Sequence, residues 1–167
     1  MARWKWPAGI NSAGINIDTF MTAARTAVAA VISLLLARTL KLPEYYWAPI
    51  STLVILLSTI NPLTLAWQRF AGTALGAGLG AVIATSLGTG PHWPVYGAGI
   101  FICGILCALL RMASAYRFAA IALTIVLIIV HERSPWMVAV HRFVEVSLGI
   151  AVGLAVTAIC RVPANRG

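Results

Sequence analysis

Long apolar runs alternate with short breaks of proline, glycine and charge along almost the whole chain. A helix that crosses the hydrocarbon of a bilayer needs about 20 mostly apolar residues. Six apolar runs, three of them shorter than this, are read as transmembrane helices, over residues 20–40, 47–63, 67–87, 95–110, 116–130 and 137–160. The breaks between them carry the expected stop signals: Arg38, Lys41 and Pro43; Asn61 and Pro62; the run from Gly88 to Pro91; Arg111; His131 to Pro135; Arg161 and Pro163. The runs are continuous and lack the alternation of period two that a barrel strand requires, so helices are predicted rather than strands. The expected fold class is an all-α polytopic membrane bundle. Residues 1–19 form a cytoplasmic or interfacial tail, 20–161 the six-helix domain and 162–167 a short C-terminal tail.

Composition sharpens this picture. Sixty per cent of the 167 residues are hydrophobic and 10% are charged, against roughly 25% charged in soluble domains. Lipid is the solvent that tolerates so little charge. The net charge of +8 does not point to nucleic acid, because the basic residues fall singly between apolar runs. Trp4, Lys5 and Trp6 suit the headgroup zone, and the N-terminal segment lacks the features of a cleaved signal peptide. With six spans both termini share one side. That side collects Arg3, Lys5, Arg25, Arg69, Arg111, Arg117, Arg161 and Arg166, against Arg38, Lys41, Arg133 and Arg142 on the other. The excess places both termini in the cytoplasm.

The third and sixth spans read alike: QRFAGTALGAGLGAVIA from Gln68 and HRFVEVSLGIAVGLAVT from His141. Arg69 aligns with Arg142, Phe70 with Phe143, Gly76 with Gly149 and Gly80 with Gly153. The second and fifth spans align more weakly, YYWAPISTLVIL against YRFAAIALTIVL, with Tyr45 opposite Tyr116. Two three-helix units follow, over about residues 20–88 and 94–161. An odd number of spans per unit inverts the second relative to the first, an architecture common among transporters. Gly72, Gly76 and Gly80, with Gly149 and Gly153, form ridges that let another helix approach closely.

Few residues carry chemistry. Ionisable groups inside a span are costly and therefore functional candidates: Arg69, Arg142 and Glu145. Arg142 and Glu145 are three apart and share a helix face. Arg25 reads as an interfacial charge, and Glu44 as a solvated loop residue beside Pro43. Candidates for proton coupling are Glu145, His141 and His131. Cys103, Cys107 and Cys160 read as small buried hydrophobes. No catalytic constellation, metal-ligand spacing or phosphate-cradling loop is present, so neither an enzyme nor a metal or other cofactor is expected.

The stretch RTAVAAVISLLLARTLKLPEYYWAPISTLVIL, the glycine-bearing QRFAGTALGAGLGAVIA and the closing HRFVEVSLGIAVGLAV together resemble the fusaric acid resistance-like family, grouped with the aromatic acid exporters. The resemblance covers about residues 22–161. Its most specific parts are Tyr46-Trp47-Ala48-Pro49, Arg69 with its glycines, and Arg142-Phe143 with Glu145. It implies a bacterial inner-membrane transporter that exports small organic anions such as aromatic carboxylic acids. A carboxylate matches the planar fork of arginine, so Arg69 and Arg142 are the expected anion contacts. Trp47, Phe70 and Phe143, with Tyr116 and Phe118, are candidates for an apolar wall. Many relatives carry a cytoplasmic helical domain or a second membrane domain that is not seen here, so a homo-oligomer is expected, and a periplasmic adaptor is a possible partner. The rival readings are a non-transporting membrane subunit of a larger complex and a passive anion channel.

Overall fold

The computed structural model describes residues 17–88, 93–129 and 134–159. Among the described residues there are six helices and no strand: α1 (Ile17–Thr39), α2 (Trp47–Leu56), α3 (Pro62–Leu87), α4 (Trp93–Leu109), α5 (Tyr116–Thr124) and α6 (Pro135–Ile159). A single 3-10 turn, Ala113–Ala115, leads into α5, and a π-helical turn, Ile125–Ile129, follows it. Three helices, at Thr19–Thr39, Pro62–Leu87 and Pro135–Ile159, are long and apolar enough to cross a membrane. Trp4, Lys5, Trp6, His131, Arg133, Cys160 and Arg161 lie outside the described residues.

The main departure from the sequence expectation is α2. The apolar run reaches residue 63, but the helix stops at Leu56, and α3 starts at Pro62 rather than near Trp67. Asn61 and Pro62 explain the start: the Asn61 Oδ1 accepts from the Leu63 N–H at 3.0 Å, and proline at the first helical position sacrifices only an N–H that has no partner in the helix. Ten residues of α-helix cover about 15 Å, half of a hydrocarbon core about 30 Å thick. The fifth span begins at Tyr116 as expected, but its last stretch winds as a π-helix. The start of α2 and the end of α3 fall where expected, and the remaining described boundaries lie within three residues of expectation.

α3 packs most extensively on α5 and α6, and α2 on α6. Glycine makes both approaches possible. A Cβ at Gly76 would collide with the Ala119 backbone, and one at Gly149 with the Ala48 carbonyl. A Cβ at Gly80 would lie 3.1 Å from the Val126 Cβ, and one at Gly153 would lie 3.0 Å from the Ile55 Cβ. The close approach at Gly149 also lets the Thr52 hydroxyl donate across the interface to the Gly149 carbonyl at 3.0 Å.

These contacts correspond position by position under the alignment of the two halves. Gly76 against Ala119 matches Gly149 against Ala48, and Gly80 against Val126 matches Gly153 against Ile55. α1 and α4 also end alike. Lys41 (φ 52°) and Arg111 (φ 55°) occupy the left-handed region. The next residue closes each cap, Leu42 N–H to the Ala37 carbonyl at 3.1 Å and Met112 N–H to the Cys107 carbonyl at 2.8 Å. This is the capping arrangement in which the chain reverses direction immediately after a helix.

Candidate functional site

The residues aligned between α3 and α6 meet at the centre of the bundle. Phe70 and Phe143 pack against each other, tilted by 58°, with ring centroids 4.7 Å apart. Each is preceded by an arginine that turns the other way. The Arg69 guanidinium carbon lies 5.0 Å from the centre of the Phe118 ring, and that of Arg142 lies 4.3 Å from the Trp47 ring. Trp47 and Phe118 are themselves aligned positions of α2 and α5. Both arginines and both aromatic rings line a cavity of about 230 Å³, whose apolar walls include Val54 and Val146.

The two arginines differ in electrostatic environment. Arg142 is ion-paired with Glu44, and its Nη1 lies 3.7 Å from the Glu145 Oε2. The Glu145 side chain is wholly buried, and its Oε1 accepts from the Glu44 backbone N–H at 2.9 Å. The Glu44 Oε2 accepts from the Tyr46 hydroxyl at 2.9 Å and from the Trp47 indole N–H at 3.2 Å. The loop before α2 is thus fastened to α6 by a charged network. Glu44, expected to be solvated, is its centre; the sequence holds no local signal for the ionic part of this network, because Arg142 and Glu145 lie about a hundred residues away.

Arg69 has no carboxylate partner among the described residues. It is only 7% exposed. Its Nη2 donates to the Ser51 hydroxyl at 3.2 Å, the Ser51 hydroxyl in turn donates to the Trp47 carbonyl at 2.9 Å, and its Nε has no hydrogen-bond partner. The positions aligned with the acidic partners of Arg142 carry no charge: Gly72 stands opposite Glu145, and Ala115 opposite Glu44. A buried cation without a counter-ion costs several kcal/mol, and such residues in spans mark solute pathways.

Of the residues singled out from sequence, Arg69, Arg142 and Trp47 converge on the cavity, and Phe118 joins them. Phe70 and Phe143 pack on each other and do not line it. Glu145 meets the site through Arg142. His141 is half-buried and Tyr116 packs near Gly104, both away from the cavity. Gly72, Gly76, Gly80, Gly149 and Gly153 lie at helix contacts. Arg25 does more than reach an interface: its Nη2 donates to the Val156 carbonyl at 3.2 Å and ties α1 to α6. Ser51, the hydroxyl beside Arg69, was not anticipated; one serine in an apolar run reveals nothing of the facing helix.

A bundle of apolar helices, three of them long enough to span, built around a cavity with two arginines, is a multi-pass membrane protein of transporter type. The chain belongs to the fusaric acid resistance protein-like family, whose model matches residues 26–156. No curated protein and no solved structure matches it.

Proposed function

We propose that the protein exports small organic anions, aromatic carboxylates above all, across a bacterial inner membrane, and that Arg69 receives the carboxylate. The observation that carries this reading is the counter-ion imbalance: Arg69 is buried on an apolar cavity with no acidic partner among the described side chains, over the Phe118 ring and with Trp47 in the same cavity wall. An entering carboxylate would supply the missing charge, and the rings would cover an aromatic body. Arg142, already paired with Glu44 and Glu145, serves to hold the cavity wall.

The architecture supports transport. The corresponding contacts of the two halves fit two inverted three-helix units. The second helix of each unit is irregular, α2 ending early and α5 passing into a π-turn. Interrupted helices at matching positions of two halves are the usual location of a transporter's binding site, and π-turns are frequent at functional sites. Both termini lie in the cytoplasm in this reading.

The test is release of radiolabelled 4-hydroxybenzoate from liposomes containing the purified protein, with and without a pH gradient. Release above that from empty liposomes is expected, with loss of at least tenfold in Arg69→Ala, the order of one charge-assisted pairing. Release unchanged in a folded Arg69→Ala protein would remove Arg69 from the pathway; no release by the wild-type protein would remove this substrate class.

A further inference from the structure

A second cavity adjoins the first. It is lined by Val54, Leu57, Ser58, Thr59, Arg117 and Phe118, and has a volume of about 540 Å³. Val54 and Phe118 belong to both cavities. Phe118 therefore stands between them, and a guanidinium lies over its ring from each neighbour: Arg69 at 5.0 Å and Arg117 at 4.7 Å from the ring centre. Arg69 is buried and Arg117 is exposed.

The carboxylates whose side chains are described, Glu44 and Glu145, are both committed to Arg142. Two like charges thus share one aromatic ring with no described acid to balance them. Like charges at this separation repel unless an anion bridges or screens them. The irregular backbone between α2 and α3 fits the same picture, because residues 57–60 line the outer cavity. Non-helical backbone at membrane depth is tolerated where it borders protein or a water-filled space.

From this geometry we propose that Arg117 and the outer cavity form a vestibule for small carboxylates, in series with Arg69 and separated from it by the Phe118 ring. The inference rests on the reading of Arg69 as an anion site. Arg117 raises the local concentration of the anion at the mouth; Arg69 holds it inside; the ring of Phe118 is the partition the anion passes. Arg117 acts on capture rather than on the occupied inner site.

The test uses the full chain in liposomes, with Thr59→Cys as a reporter in the vestibule and the unsubstituted protein as background. The rates of modification by an anionic and a cationic methanethiosulfonate are compared with their ratio on a free thiol. The anionic reagent is expected to be favoured several-fold, with the preference lost in Arg117→Gln and kept in Arg117→Lys. In the transport assay Arg117→Gln is expected to raise the half-saturating concentration about tenfold, within the range for electrostatic focusing, and to leave the maximal rate unchanged. A free-thiol ratio at Thr59→Cys that Arg117→Gln does not alter would overturn the vestibule, even if Arg69→Ala still abolishes transport. A charge preference that depends on Arg117, in a protein that moves no hydroxybenzoate, would uphold the vestibule and sink only the substrate reading.

Discussion

Arg69 and Arg142 occupy aligned positions, each over an aromatic ring, yet removing them is expected to affect stability differently. Arg142 neutralises the fully buried Glu145 and holds Glu44. Arg142→Met leaves a buried carboxylate without its cation, which costs about 3–5 kcal/mol. Arg69→Met removes a buried cation that has no described acid and gives up one hydrogen bond to Ser51; the change is expected to be neutral or stabilising, because the desolvation cost of the charge goes with it. Unfolding of both variants in mixed detergent micelles checks the contrast. Arg69→Met less stable than Arg142→Met would mean that Arg69 is paired. A gain in stability in Arg69→Met would fit a cation placed beside the cavity for a ligand rather than for the fold.

Helix contacts depend on the absence of side chains at a few positions. Gly149→Ala drives a methyl into the Ala48 carbonyl and the Ser51 Cβ, and Gly76→Ala drives one into the Ala119 backbone. Neither neighbour is the flexible end of a side chain, so the helices must separate. The expected cost is about 3 kcal/mol each, at the upper end for overpacked sites. Gly78 lies on the same helix with nothing near its absent Cβ, and Gly78→Ala is expected to be neutral or stabilising by up to about 1 kcal/mol. The same unfolding measurement separates them; equal effects at Gly76 and Gly78 would refute the packing account. Separation of α2 from α6 would also break the Thr52 bond to the Gly149 carbonyl and loosen the wall that carries Trp47.

The arrangement of α2 and α5 sets the polarity of the whole bundle. Trp47, at the start of α2, shares a cavity with Thr124 and Ile125 at the end of α5, whereas Leu57, just past the end of α2, shares one with Arg117 and Phe118 at the start of α5. The two helices therefore run in opposite directions. The charged network of Glu44, Arg142 and Glu145 lies at the Trp47 end of the central cavity, and Arg117 lies at the Phe118 end. The proposed orientation, with both termini in the cytoplasm, would turn Arg117 toward the compartment from which the proposed exporter loads. Single-cysteine labelling tests this. Leu40→Cys, at the end of α1, is expected to react with an impermeant maleimide in intact cells, and Ala113→Cys, between α4 and α5, only in inverted vesicles. Labelling of both from one side would overturn the six-span topology.

Much of this was legible in the residues. Runs of about 20 apolar residues admit no solvent but lipid, and lipid admits helices because their backbone groups are satisfied within the segment. The glycine spacing in α3 and α6 announced close helix contacts, since residues four apart share a face. Arg69 and Arg142 stood out because charge in a span is rare. The wall of the cavity was less legible. Neighbouring residues on a helix point about 100° apart; Phe70 and Phe143 turn toward each other while Arg69 and Arg142 turn to the cavity, and the rings over the arginines come from α2 and α5 instead. The early end of α2 was hidden by apolar residues that continue past it to line the outer cavity. Which arginine has a counter-ion was beyond any local pattern: Glu44 reaches Arg142 because Gly149 lets α2 lie against α6, and nothing in the repeated Arg-Phe pair distinguishes the arginine paired with acids from the one paired, among the described side chains, with a serine hydroxyl.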